Sequence, residues 1–314
     1  MTGSTRSAKV VGRIGQAAAV VLALAITAPT ALAEERMTLG WGRMFSNDGI
    51  GDMEDRWRTG SYTISRVRGP GWSGEWPGRF GEILEFRGRG EIIAPANLTT
   101  MPPGDRRYAG VLSLGVHSHF RAAGLETSLG LDLAITGEQS GMSDFQDALH
   151  DLLGMSRPRV AGTQIGNGFH PTLVLEVGRS LDLGPATLRP FAEVQAGLET
   201  FVRAGADLNL GRFGEGALML REQATGQRYR GIPGAMIPGF TFSLGGDIAH
   251  VFDSALLPEG EPAVLNDSRK RLRAGIAWQG EQASAFYGLT WLGKEFEGQS
   301  EAQVVGSLSL RLEF

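Results

Sequence analysis

Residues 45–62 read FSNDGIGDMEDRWRTGSY. Asp48, Asp52, Glu54 and Asp55 stand there against Arg56 and Arg58. So much opposed charge in a short stretch has two readings. One is a solvated hairpin tip, with Asp52, Glu54 and Asp55 in water and Asp55 paired to Arg56. The other is a cation site beside a reactive centre. Asp48 offers a hard carboxylate, and carbonyls around Gly49 and Gly51 offer more oxygens of the kind a hard cation prefers. The loop lacks the regular D-x-D-x-D-G spacing of an EF-hand.

A second stretch, GMSDFQDALHDLLG at 141–154, carries an imidazole. Phe145, Ala148, Leu149 and Leu152 fall at helical spacing. Ser143 with Gln146 resembles a capping box, and Gly154 is a terminator. Gln146 and His150 are four apart and share a face. A neutral imidazole near pH 7 can take the proton from an attacking water, as ester hydrolysis requires. A lone histidine on a helix is more often structural. His117 and His119 alternate onto one face of a strand and are read as lumen or turn packing. His170 and His250 are read as solvated or girdle residues. There is no G-x-S-x-G and no convincing Ser–His–acid set, so direct water attack is favoured over a serine-acyl route. Arg106, Arg107, Arg157 and Arg159 could bind phosphates through paired N–H donors. An ordinary positive rim would look the same.

The elements that must position these residues read as strands. In GLETSLGLDLAITG, Leu125, Thr127, Leu129, Leu131, Leu133 and Ile135 share a face. Glu126, Ser128, Gly130, Asp132 and Ala134 take the other, because successive strand side chains point to opposite faces. The last strand repeats this with Val304, Gly306, Leu308, Leu310, Leu312 and Phe314. About a dozen such segments occur, near 37–46, 59–69, 80–91, 108–119, 122–136, 171–183, 186–198, 201–210, 237–251, 269–279, 281–292 and 302–314. Most have the length of a tilted membrane-crossing strand, about 10 residues. Trp41, Trp278, Trp291 and Tyr287 fall on the apolar face, as an interfacial girdle requires. The expected fold is all-β: a transmembrane antiparallel β-barrel of about 12 strands, favoured over a soluble sandwich. An even count puts both ends of the barrel chain in the periplasm. The charged loop and the helix, in the first and third outer loops, then share the extracellular rim. Segment 211–236 is long yet falls on the periplasmic side, which the pattern does not explain.

Composition sets the outer limits. The chain has 314 residues and a formal charge of −4. Residues 1–33 read as a cleaved signal peptide: Arg6, Lys9 and Arg13, then AAAVVLALAI, then ALA before Glu34. Residues 34–314 are then the barrel domain, in the bacterial outer membrane. The chain has no cysteine, which excludes disulfides, zinc-thiolate sites and a lipobox anchor. A mildly acidic chain without a basic tail argues against nucleic acid.

Several fragments together resemble a known family, the outer-membrane lipid A 3'-O-deacylases. They are ND at 47–48, DRWRTG at 55–60, GDRRYAG at 104–110, QDALHDLLG at 146–154, PRVAGTQIGN at 158–167 and KEFEGQSEAQVVGSLSL at 294–310. Order and spacing carry the resemblance more than any one fragment. It implies a twelve-stranded barrel that removes the 3'-linked acyloxyacyl group of lipid A in the outer leaflet, using Ca2+. On the matching positions it implies His150 as general base and Asp48 as a holder of the cation. Asn47, Thr59 and Gln146 complete the implied site. The implied partners are lipid A or lipopolysaccharide and the outer-membrane bilayer, met by a monomer. Two alternatives stay open: a weak or inactive relative acting as a structural barrel, and a narrow pore.

Overall fold

The computed structural model describes residues 35–154 and 158–312. The signal-peptide reading, Arg157 and Phe314 therefore lie outside the described residues. Twelve antiparallel strands form a closed wall: β1 (Met37–Asn47), β2 (Trp57–Gly69), β3 (Ile83–Ala94), β4 (Ala109–Ala122), β5 (Leu125–Thr136), β6 (Gly168–Gly178), β8 (Ala186–Ala196), β9 (Glu199–Leu210), β12 (Gly239–Ser254), β13 (Ser268–Gln279), β14 (Ala283–Leu292) and β15 (Gln303–Leu312). Each pairs with the next, and β1 closes on β15. The two-residue β7 (Leu181–Asp182) only extends the edge of β8.

Alternation decides which face is outside. On β5, Leu131 and Leu133 are 45% and 42% exposed, while Asp132 and Ala134 are both 2% exposed. The oily face therefore points outward and the polar face inward, as a bilayer demands and a soluble core forbids. Trp41, Trp278, Trp291 and Tyr287 all lie on the exposed face. Three strands begin elsewhere than the pattern suggests; β5 starts at Leu125 and not at 122, because Ala123 and Gly124, both at positive φ, form the turn before it. β3 starts at Ile83 because Gly81, with φ +79°, holds residues 79–82 in a turn. β6 runs over Gly168–Gly178, earlier than the 171–183 expectation.

The lumen is filled by the segment that alternation could not place. β10 (Leu218–Arg221) and β11 (Arg228–Ile232) form a hairpin inside the barrel. Leu218, Leu220, Tyr229 and Ile232 pack with Met44, Val67, Ile83 and Phe286 of the wall. The hairpin lies close on β1 because Gly40 and Gly42 face it without side chains. A Cβ on Gly40 would stand 2.2 Å from the Gly231 carbonyl oxygen. Its tip reaches toward the opposite rim. There Arg271 donates to the carbonyls of Gln223 and Ala224 at 2.8 and 3.2 Å, and Ser61 donates to Glu222 at 3.2 Å. Lumenal polar groups must find partners once water is displaced, and the plug supplies many of them.

The rim away from the plug's entry carries the connections 48–56, 95–108, 137–167, 255–267 and 293–302. Helix α1 (Met142–Leu153) lies in the β5–β6 connection on this rim. The capping box does not form. The helix starts one residue before Ser143, at a left-handed Gly141 that makes no side-chain cap. Gly154 ends it as expected, at φ +68°, its N–H turned back to the Asp151 and His150 carbonyls.

Candidate active site

The first loop folds down over the outside of the wall. A 3-10 turn, Asp48–Ile50, crosses the face of β15 at Gly306, where any Cβ would strike the Ile50 carbonyl. Tyr287 pins the loop from β14 by donating to that carbonyl at 2.7 Å. Asn47 caps the turn: its Oδ1 accepts from Gly49 N–H at 2.7 Å and its Nδ2 donates to the Thr59 carbonyl at 2.7 Å. β1 and β2 are thereby tied together at the rim.

Asp48 sits beneath this turn and is 1% exposed. Its carboxylate accepts from the Arg56 backbone N–H at 2.9 Å and lies 3.3 Å from the Thr59 hydroxyl oxygen. Burial pushes the carboxyl up to about 8, and the nearby Asp55 and Asp52 charges add to the rise. Such a buried acidic pocket suits a cation, which would restore the ionised form. Among the described residues, no three His, Cys, Asp or Glu come together to cage a metal. Amide and backbone oxygens would have to complete a calcium shell, as they commonly do.

α1 approaches the wall from the other side. Its first residue, Met142, packs on outward-facing glycines; a Cβ on Gly90 or Gly110 would come within 3.0 or 2.8 Å of Met142. This turns Gln146 and His150 inward, 4% and 6% exposed, while Phe145, Leu149 and Leu152 face out. Tyr108 fixes Gln146 by donating to its Oε1 at 2.9 Å. His150 Nε2 stands 3.9 Å from Asp55 Oδ2, and Asp55 Oδ1 accepts from the Thr59 hydroxyl at 2.5 Å. Asn47, Asp48, Asp55, Thr59, Gln146 and His150 all line one groove of about 750 Å3. Its floor includes the outward glycines Gly60, Gly88 and Gly90, and it opens among Phe45, Tyr62 and Ile64 of the outer wall.

All five residues expected at the centre thus meet. Asp55 is the one the charge pattern misassigned: it is neither a solvated tip nor the partner of Arg56. Arg56 pairs instead with Glu301 at 2.7 Å and Asp52 at 3.5 Å. Residues 17–314 match the family model described as Outer membrane protein LpxR. The chain belongs to the LpxR family. Its fold is similar to that of LpxR from Salmonella typhimurium, with a TM-score of 0.71 at 16% identity, covering 88% of this chain and 100% of that one. More distant likenesses are the KdgM porin (TM-score 0.39, 4% identity, 88% and 99% covered) and the β domain of the Bordetella autotransporter BrkA (0.41, 13%, 88% and 99%). No curated protein matches the sequence. Like its family, this chain is an outer-membrane β-barrel.

In this LpxR-family barrel the rim arginines divide. Arg106 is 1% exposed and donates to Glu295 at 2.6 Å inside the lumen. That corrects its expected place at a surface phosphate site, since a buried, paired guanidinium has no face left for one. Arg58 completes the same cluster, at 2.7 Å from both Glu91 and Glu295, and anchors the strand that presents Thr59. Arg107 remains on the surface, paired with Glu261 at 2.7 Å, and Arg159 is exposed. His117 and His119 are lumenal, as expected, each 2.8 Å from a carboxylate oxygen of Asp132 and Glu85 respectively.

Proposed function

We propose that this chain is a calcium-dependent hydrolase that removes the 3'-linked acyloxyacyl group from lipid A. It works as a monomer in the outer leaflet, with the site rim facing outside and residues 1–33 serving as a cleaved leader. One observation carries the proposal. A buried imidazole and a buried carboxylate meet in a groove that opens sideways onto the lipid-facing wall. A soluble substrate would need a mouth toward water. An acyl chain already in the bilayer reaches this groove without leaving hydrocarbon.

The residues divide the work. His150 takes the proton from the attacking water, and Asp55 beside it orients the ring and offsets the imidazolium charge that forms. Asp48 is the main carboxylate ligand for the cation. Calcium, when bound, polarises the ester carbonyl and stabilises the oxyanion. Asn47 holds the loop that carries Asp48, and Thr59 links the Asp48 and Asp55 carboxylates. Gln146, locked by Tyr108, faces the groove one turn before His150. The outward apolar stripe of α1 would lie in the acyl–headgroup boundary, where an amphipathic helix is stable. Arg107, on the rim, is the cation proposed to meet the lipid A phosphates, together with Arg157, which lies outside the described residues. The plug argues against a narrow pore, since the lumenal cavities beside it are of about 50 and 30 Å3.

The test is mass spectrometry of lipid A from cells expressing the chain. Wild type should yield the species lacking the 3'-linked group, and His150→Ala and chelator should abolish it. If wild type leaves lipid A intact in saturating calcium, the inactive-relative reading stands instead.

A further inference from the structure

β2 opens on a break in the strand pattern. Trp57, Arg58 and Thr59 are 2%, 7% and 4% exposed, where strict alternation would expose one of them. The cause is a bulge. Trp57 pairs with Ala94 of β3 and Gly60 pairs with Ile92, so Arg58 and Thr59 together oppose Ile93. Arg58 can then enter the lumenal ion cluster while Thr59 lines the groove. The bulge starts at Trp57, which is left-handed at φ +49°. That conformation is unfavourable for a bulky side chain and persists only where its surroundings impose it.

Gln303, the first residue of β15 and 1% exposed, stands where it can impose it. Its side-chain amide bridges the backbone on both sides of Trp57. Nε2 donates to the Arg56 carbonyl at 2.6 Å, and Oε1 accepts from the Arg58 N–H at 3.1 Å. A carboxamide offers a donor and an acceptor side by side, as this span requires. The same Nε2 lies 3.4 Å from Asp48 Oδ2. The next residue, Val304, holds the loop at a second point. Its N–H donates to Asp52 Oδ2 at 2.9 Å, and its carbonyl accepts from the Asp52 N–H at 3.0 Å. The Trp57 side chain is sunk among Leu257, Ala263 and Phe296.

We infer that Gln303 is a positioning residue of the Asp48 pocket. It acts through the backbone. By holding the left-handed turn at Trp57, it aims the Arg56 N–H at Asp48 and sets the Thr59 hydroxyl oxygen 3.3 Å from the carboxylate. The oxygens that would receive calcium are thereby held in place before the ion arrives. This role rests on the cation reading of the pocket proposed above.

Isothermal titration calorimetry of calcium into the full barrel in detergent reads the pocket without the reaction. Wild type should bind the ion. Gln303→Met has similar length but neither donor nor acceptor, and should bind about tenfold more weakly or worse, the weight of the two lost hydrogen bonds. Gln303→Asn keeps the amide but is one methylene too short for the span, and should lose affinity as well. Gln299→Met is the structural control. Gln299 is 4% exposed on the same rim and also bonds backbone twice, to the Glu295 N–H at 2.8 Å and the Glu301 carbonyl at 3.0 Å, outside the first loop. Its loss should lower heat resistance on gels and leave calcium affinity within about twofold. Heat-modifiable mobility confirms that each variant is a folded barrel. Wild-type affinity in both Gln303 variants would overturn the role, and so would an equal loss in Gln299→Met. A wild type that binds no calcium would overturn the cation pocket and this role with it. An inactive wild type that binds calcium, with affinity lost in the Gln303 variants, would overturn the hydrolytic reading alone.

Discussion

Asp55 Oδ2 and His150 Nε2 face each other at 3.9 Å, brought together from the first loop and the distant helix α1. The other oxygen of Asp55 accepts from Thr59 at 2.5 Å, so the carboxylate is fixed before it meets the ring. In the proposed mechanism this carboxylate orients His150 as general base, closing from 3.9 Å to hydrogen-bond distance when substrate is bound. Asp55→Asn should lower kcat about 10- to 100-fold, as loss of an orienting partner does. KM should change little, and Asp55→Glu should recover part of the rate. A purely structural Asp55 would instead unfold the rim loop and raise KM together with the loss of kcat.

In the proposed mechanism Asp48 acts through the cation and not through the proton. Asp48→Asn keeps the hydrogen-bonding shape but removes the charge. Its activity should therefore fall at low calcium and recover in part at high calcium, because the remaining oxygens still bind weakly. His150→Ala should not recover at any calcium level; general-base loss costs about 100- to 10,000-fold. Calcium titrations of both variants separate the two roles. Identical calcium curves for wild type and Asp48→Asn would remove Asp48 from the cation site.

The wall was legible in the sequence because lipid outside and a polar lumen inside force a period of two on every strand. Leu129, Leu131 and Leu133 carry that signal without ambiguity. The plug was not legible. β10 and β11 have four and five residues and are covered on both faces, so neither shows the period. Asp55 was missed because its partner lies far along the chain, and nothing local separates it from Asp52 or Glu54. Arg106 and Arg107 are adjacent and chemically alike, yet one points into the lumen and the other to the surface. Only strand direction at the rim decides that.

Arg106 gives a test of this division. Arg106→Ala leaves the Glu295 carboxylate buried without one of its partners, a change that typically costs about 3–5 kcal/mol. The barrel should lose heat resistance on gels while KM for lipid A stays within about twofold, since no substrate contact is lost. A raised KM with unchanged stability would return Arg106 to phosphate binding.

The plug can be removed cleanly because its ends meet: the Ala235 N–H donates to the Glu215 carbonyl at 2.9 Å. Deleting residues 216–234 and joining those ends should leave the wall closed and open the lumen. Planar-bilayer recordings should show no steady conductance for wild type and a distinct one for the deletion. Equal conductance by both would mean that the hairpin does not block the barrel.

Gly88 tests whether the groove holds an acyl chain. It faces outward in the floor, where an added Cβ would meet Ile64 and Leu114 at 3.5 and 3.8 Å, ordinary contact distances. The strand therefore tolerates a side chain, and only the groove loses space. Gly88→Trp should displace a few methylenes of a bound chain. At about 0.8 kcal/mol per buried CH2, losing three or four costs about 3 kcal/mol, or roughly 100-fold in kcat/KM. The loss should fall on long-chain substrates and spare short ones, because His150 and Asp48 are untouched. Leu272→Trp, on the exposed face of β13 and outside the groove, is the control for a bulky lipid-facing residue. Lipid A species with acyl chains of different length, compared by mass spectrometry, give the readout. If Gly88→Trp slows all chain lengths equally, or behaves like Leu272→Trp, the acyl chain lies elsewhere.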